Sequence, residues 1–158
     1  MSFKLFSSLG NKRKKKEILL KENIRLNLNS VNKYEAIKMA GKILVDHGYV
    51  EESYIEAMIE REEDLSTYIG NGIAIPHGVG RAKKFIKKSG IVILQFPEGV
   101  DFGEEKAYLI IGIAGVGEEH LQILSNIATV IGEGDPDKIG KLKTTKDVND
   151  IYETFTAS

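Results

Sequence analysis

A chain of 158 residues, 42% hydrophobic and 28% charged, has the size and composition of one ordinary soluble domain that needs no covalent staple. It contains no cysteine, which excludes disulfides, thiolate nucleophiles and Cys-based metal sites. Its 22 Lys+Arg and 23 Asp+Glu nearly cancel, and no apolar run approaches the ~20 residues that span a bilayer.

The charge is unevenly placed. Residues 1–16 hold Lys4, Lys12, Arg13, Lys14, Lys15 and Lys16 and no acid, leaving 16 basic against 23 acidic residues on the rest. Residues 1–17 therefore read as a basic N-terminal extension, expected to be flexible, and 18–158 as a single acidic domain. The run Lys12 to Lys16 suits phosphates or anionic lipid. It lacks the interleaved aromatics of a base-stacking surface, and the acidic body argues against nucleic acid as a partner. Met1 to Gly10 shows no signal-peptide pattern, so the chain reads as cytoplasmic, with any membrane contact indirect.

The domain is expected to begin near Ile18. Asn32 with Glu35 outlines a helix N-terminus. Ala36, Ile37, Ala40, Ile43 and Leu44 follow at helical spacing, and Gly48 ends the helix. Ser53 with Glu56 is a fuller capping-box pattern for a second helix, striped by Ile55, Met58 and Ile59 and ending near Asp64. Thr67 to Ile69 and Ile73 to Ile75 read as short strands about a Gly70-Asn71-Gly72 turn. Ile91 to Leu94 and Tyr108 to Ala114 read as buried strands, with turn chemistry at Pro97-Glu98-Gly99. Leu121, Leu124, Ile127, Ala128 and Ile131 carry a helical period up to Gly132 and Gly134. Asp135-Pro136 starts a short helix, and Asp147 to Phe155 fits a last one. The order points to an α/β (α+β) fold, a mixed β-sheet flanked by helices in one domain.

The candidates for chemistry are three histidines. His77 stands in Gly72-Ile73-Ala74-Ile75-Pro76-His77-Gly78, where a strand runs into a proline that fixes φ. Such a loop suits an imidazole presenting one ring nitrogen outward while a carbonyl holds the other. It equally suits a loop histidine with one structural hydrogen bond. His120 follows Glu118-Glu119 at the start of a helix. There the free N–H groups and positive dipole end favour an anion and lower the histidine pKa, with the acids opposing. A plain first-turn surface histidine fits the same pattern. His47, before Gly48 at a helix C-terminus, reads as structural. Arg61 could clamp a phosphate or pair with Glu56 or Glu62 on its own helix. No H-E-x-x-H, G-x-S-x-G or phosphate-binding glycine motif is present, so no metal and no cofactor is expected.

The segment Gly72 to Gly78 resembles the phosphorylation-site motif of the mannitol/fructose-type enzyme IIA domains of the bacterial phosphoenolpyruvate-dependent sugar phosphotransferase system. The stretches Gln95 to Gly103 (QFPEGVDFG) and Glu119 to Leu124 (EHLQIL) resemble the mannitol branch. The similarity runs from about Glu22 to Phe155. The resemblance implies a phosphocarrier enzyme, a phosphotransferase whose His77 accepts a phosphoryl group from phospho-HPr. His77 would then pass that group to the enzyme IIB domain of a mannitol transporter. It implies His120 as the second active-site histidine, hydrogen-bonding the phosphoryl group, and Arg61 as a charge clamp whose removal slows transfer without unfolding the chain. Nε2 is the implied phosphorylation site on His77. Ile73, Ile75, Val79 and Phe102 are candidates for an apolar docking patch for HPr and equally for the core. The acidic body would attract a basic face on that partner. An alternative is a regulatory module of the nitrogen or fructose type, acting by phosphorylation-dependent protein contact. A third reading is an anion- or metal-binding module without transfer chemistry.

Overall fold

The computed structural model describes residues 18–157; the basic extension over 1–17 lies outside the described residues. The elements, in chain order, are β1 (Ile24–Arg25), α1 (Lys33–Asp46), α2 (Ser53–Asp64), β2 (Tyr68–Gly70) and β3 (Ile73–Ala74). They continue with β4 (Gly90–Asp101), β5 (Lys106–Ala114), α3 (Leu121–Glu133), α4 (Pro136–Thr144) and α5 (Val148–Thr156). Short 3₁₀ turns occupy Lys21–Asn23 and Gly80–Phe85. The strands form one five-stranded mixed sheet in the order β1-β4-β5-β3-β2. β4 and β5 are antiparallel neighbours, while β1 runs parallel to β4 and β3 parallel to β5.

The two long strands explain the layering. Val92, Leu94 and Phe96 of β4 and Ala107, Ile110 and Ala114 of β5 pack into one core with Ala36, Ile37, Ala40 and Leu44 of α1. The alternate residues, Ile91 and Ile93 with Leu109, Ile111 and Ile113, pack into a second core with α3, α4 and α5. Successive side chains on a strand point to opposite faces, so a continuous apolar run is required when helices cover both faces. Each fully buried Leu or Ile contributes roughly 1.5–3 kcal/mol, and the double layer multiplies that gain.

Local chemistry sets most helix ends. Asn32 Oδ1 accepts the Glu35 amide at 2.9 Å, and Asp135 and Asp147 cap α4 and α5 in the same way. Ser53 does not cap α2; it is the first helical residue, and the flanking Glu52 is already in helical conformation with no side-chain cap. The apolar stripe of α2 also differs from the expected one. Tyr54, Met58 and Glu62 are the buried residues, one step from Ile55 and Ile59. Glu62 is tolerated inside because its Oε1 accepts from the Thr67 amide and hydroxyl and its Oε2 lies 3.5 Å from Lys33 Nζ.

Pro97-Glu98-Gly99 is not a turn. β4 runs through it, with the pairing to β5 interrupted between Gln95 and Val100; such a bulge is where a strand accommodates proline. The buried Gln95 beside it is satisfied, accepting from Asn27 N and donating to Leu142 O and Thr145 O. His47 is structural, as its position suggests. Its Nδ1 lies 2.6 Å from Asn23 Oδ1, and Asn23 in turn donates to the Tyr49 hydroxyl and the Ile91 carbonyl.

Candidate active site

β3 runs parallel to β5 and ends at Ala74, opposite Ile110, and the site is built where the chain continues alongside the carboxyl-terminal end of β5. Ile73 pairs with Leu109 and Ala74 with Ile110. After Ile75 and Pro76 the chain returns to β5 in the same register, with His77 opposite Ile113. The Ile113 amide donates to Pro76 O at 3.0 Å. From α2 the Tyr54 hydroxyl accepts the Gly78 amide and donates to Ile113 O, both at 2.8 Å. His77 is thus anchored on both flanks to one residue of a central strand. Gly78 is required by space. A Cβ there would lie 2.8 Å from the Tyr54 ring and from Ala82 Cβ.

Burial raises the Tyr54 phenol to about 12, against the Gly78 hydrogen bond, which lowers it. The phenol therefore stays neutral and able to donate throughout the physiological range. Since its folded pKa lies above the unfolded value of about 10, the associated stability is complete below pH 10 and is lost as pH rises toward 12. Tyr54→Phe is expected to cost about 1–3 kcal/mol at pH 7, because it orphans the Gly78 N–H and the Ile113 carbonyl. Between pH 10 and 12 the variant should lose less stability than the wild type. Denaturant midpoints at both pH values check this, and parallel pH profiles would contradict it.

His77 is half-buried, with Nδ1 2.6 Å from Ile75 O. A carbonyl only accepts, so Nδ1 carries the proton, and in the neutral ring the lone pair is on Nε2. Across the site His120 occupies the N-cap position of α3. Its ring lies against Gly115, where a Cβ would come within 2.3 Å of Nε2. Its Nδ1 is buried without a hydrogen-bond partner among the described residues. A buried lone pair is tolerated better than a buried orphan N–H, so the neutral ring places its proton on Nε2. Desolvation holds the His120 pKa below the ordinary value, Lys83 adds to the lowering, and Glu119 opposes it. The expected lowering is therefore present, with burial as its main cause.

Between the histidines lies a cavity of about 420 Å³ whose walls include Tyr54, His77, Lys83, Gly115, His120 and Leu124. Arg61 is not among them. Its guanidinium donates to Leu65 O, the carbonyl just past its own helix. It lines a second groove with Glu60, Asp64 and Arg81, which shares only Val79 with the first.

Of the expected docking residues, Val79 is 52% exposed and Ile75 half-buried at the cavity wall, whereas Ile73 and Phe102 belong to the core. The stripe of α3 is also turned from the expected one. Ile123, Ile127 and Val130 face inward, while Leu121 and Leu124 border the cavity. Sequence reasoning passed over Tyr54, Gly115 and Lys83. Tyr54 works through a hydroxyl reaching Gly78 and Ile113, Gly115 through the His120 ring packed on it, and Lys83 through its place on the cavity wall, none of which a local pattern announces. Among the described residues no cluster of three or more His, Asp or Glu could hold a metal ion.

A cavity wide enough for a phosphoryl group, walled by a histidine whose free lone pair is on Nε2, by a second histidine and by a lysine, holds the side-chain types that phosphoryl transfer uses: a nucleophile, a hydrogen-bond donor and a cation. The profile of the family "Phosphoenolpyruvate-dependent sugar phosphotransferase system, EIIA 2" matches residues 17–158, and the chain belongs to that family. It is similar to the mannitol-specific phosphotransferase enzyme IIA component of Geobacillus stearothermophilus, 60% identical over 117 residues covering 73% of this chain and 81% of that protein. The corresponding component of Bacillus subtilis is 50% identical over 140 residues, 88% of this chain and 96% of that one. Among solved structures, enzyme IIA mannitol in the Escherichia coli complex with phosphorylated enzyme IIB superposes with a TM-score of 0.78 at 40% identity, covering 87% and 96% of the two chains.

Proposed function

We propose that this chain is a mannitol-type phosphocarrier. His77 accepts a phosphoryl group on Nε2 from phospho-HPr and delivers it to the enzyme IIB domain of a mannitol permease. The observation that carries the reading is the 2.6 Å contact of His77 Nδ1 with Ile75 O, which leaves Nε2 as the nucleophile. It is supported by membership of a phosphoenolpyruvate-dependent transfer family and by mannitol-specific relatives at 60% and 50% identity. The similar Escherichia coli chain was solved bound to phosphorylated enzyme IIB. The same reading makes residues 18–158 the working domain and places the chain in the cytoplasm, where phosphoenolpyruvate is made.

The transfer is written between two rings. The N–P bond of the donor phosphohistidine breaks, its electron pair staying on the donor nitrogen, as the His77 Nε2–P bond forms. The Nδ1–H remains on Ile75 O. Negative charge gathers on the three equatorial oxygens in the transition state, and in this reading the His120 Nε2–H donates to one of them. Arg61 joins as a charge clamp only after its guanidinium leaves the Leu65 carbonyl.

The test is transfer in sequence. The chain is phosphorylated with phosphoenolpyruvate, enzyme I and HPr, then mixed with a mannitol enzyme IIB or a fructose-type enzyme IIB. Passage to the mannitol protein at least tenfold faster is the expected result. A stable phosphoprotein that neither enzyme IIB discharges would contradict the transport role and favour a regulatory one.

A further inference from the structure

We propose that Lys83 is a catalytic cation of this site, its ammonium contacting the phosphoryl oxygens as the group passes to and from His77. The inference deepens the reading of His77 as acceptor and rests on it.

Three observations carry it. First, Lys83 lines the cavity between His77 and His120, and among the described residues it is the only lysine or arginine that does. Second, it forms no ion pair with any described residue, whereas Lys33, Lys38, Lys42, Lys138 and Lys141 do. It lies near enough to His120 for its charge to add to the lowering of that ring's pKa, after burial and against Glu119. Third, Arg61 is held on the Leu65 carbonyl in a neighbouring groove. The cation supplied by the fold in the state described is therefore Lys83.

The geometry of the segment suits this. After Gly78 packs on Tyr54 and Ala82, the 3₁₀ turn Gly80–Phe85 buries Ala82 and leaves Lys83 exposed beside it. The side chain is thereby rooted within six positions of the nucleophile on a flexible four-carbon stem. An ammonium is a compact point charge with three rotatable donors. It can follow a phosphoryl group from the incoming partner's ring to His77 Nε2 and out again without a fixed fork geometry. The balance of the reaction is unchanged. One N–P bond breaks, one forms, and Lys83 stays protonated throughout. Its contribution is electrostatic and largest where charge on the equatorial oxygens is greatest.

Lys83 is exposed, so its variants should fold, and three are informative. Lys83→Met removes the charge at similar length, Lys83→Arg keeps it, and Lys84→Met removes a charge from the next position, which does not line the cavity. Phosphorylation of His77 by phospho-HPr is followed by rapid quench. Lys83→Met should lower the maximal rate about 10–100-fold, Lys83→Arg should recover most of it, and Lys84→Met should match the wild type. In Lys83→Met the His120 ring, followed by NMR, should titrate at higher pH than in the wild type. A wild-type maximal rate in Lys83→Met, or a loss confined to KM and abolished by salt, would overturn the proposal and leave Lys83 a docking charge at most. An unmoved His120 titration would overturn it as well. The parent reading fails differently, by wild-type protein that takes no phosphoryl group or by His77→Gln that still does.

Discussion

His77→Gln is expected to abolish the phosphoprotein completely while leaving the fold intact. Incubated with phosphoenolpyruvate, enzyme I and HPr, the wild type should gain one acid-labile phosphoryl group by intact mass and the variant none. The separation of the two effects follows from the site. Anchoring of the loop does not pass through the imidazole. It uses the Ile113 amide on Pro76 O and the Tyr54 hydroxyl between Gly78 N and Ile113 O. The ring itself contributes one hydrogen bond to Ile75 O, worth about 1 kcal/mol, and the glutamine amide can replace part of it. The denaturation midpoint should therefore shift by no more than that bond is worth. A variant that loses phosphorylation and several kcal/mol together would show that His77 is a structural residue first.

The second large effect is expected from the smallest possible change, Gly115→Ala. The added Cβ would lie 2.3, 2.5 and 2.6 Å from Nε2, Cε1 and Cδ2 of His120, distances that real contacts do not reach. The obstacle is a ring with only two rotatable bonds, so the imidazole must leave its position. Loss of one positioned donor at a transition-state oxygen costs about 10²–10³ in rate, and transfer to His77 should slow by about 10²-fold. Because the whole effect runs through His120, His120→Ala should slow transfer to a similar extent. The double variant should be no slower than either single one, a fully non-additive cycle. Wild-type rates in Gly115→Ala would show that the His120 ring has a second productive position. Additive losses would show that Gly115 acts through something else.

These two residues also illustrate what could and could not be read from the chain. His77 was legible because its neighbours constrain it locally: a short β-branched strand, a proline and a glycine. The long strands were legible because burial on both faces demands continuous apolar runs. His120 was legible as a helix-start histidine, since an N-cap position follows from local signals. Gly115 was not, because the need for glycine arises from a ring five residues away in sequence and folded back over it. Tyr54 was hidden by phase. Met58 sat correctly in the expected stripe of α2, but the buried line runs through Tyr54 and Glu62. The ion pair with Lys33 and the hydrogen bonds from Thr67 that make a buried Glu62 acceptable are tertiary. On α3 the expected stripe included Leu121 and Leu124, which border the cavity, Leu121 exposed and Leu124 half-buried at the edge of the second core. Arg61 was placed by pattern, and its side chain lies in the neighbouring groove.

The measurement that tests the central claim most directly is the identity of the phosphorylated atom. The chain, labelled with ¹⁵N, is phosphorylated through HPr, and long-range proton–nitrogen correlations of the histidine rings are recorded with phosphorus coupling. The expected result is coupling to Nε2 of His77 alone, with Nδ1 still protonated on Ile75 O. Coupling to Nδ1 of His77, or to either nitrogen of His120, would contradict the account.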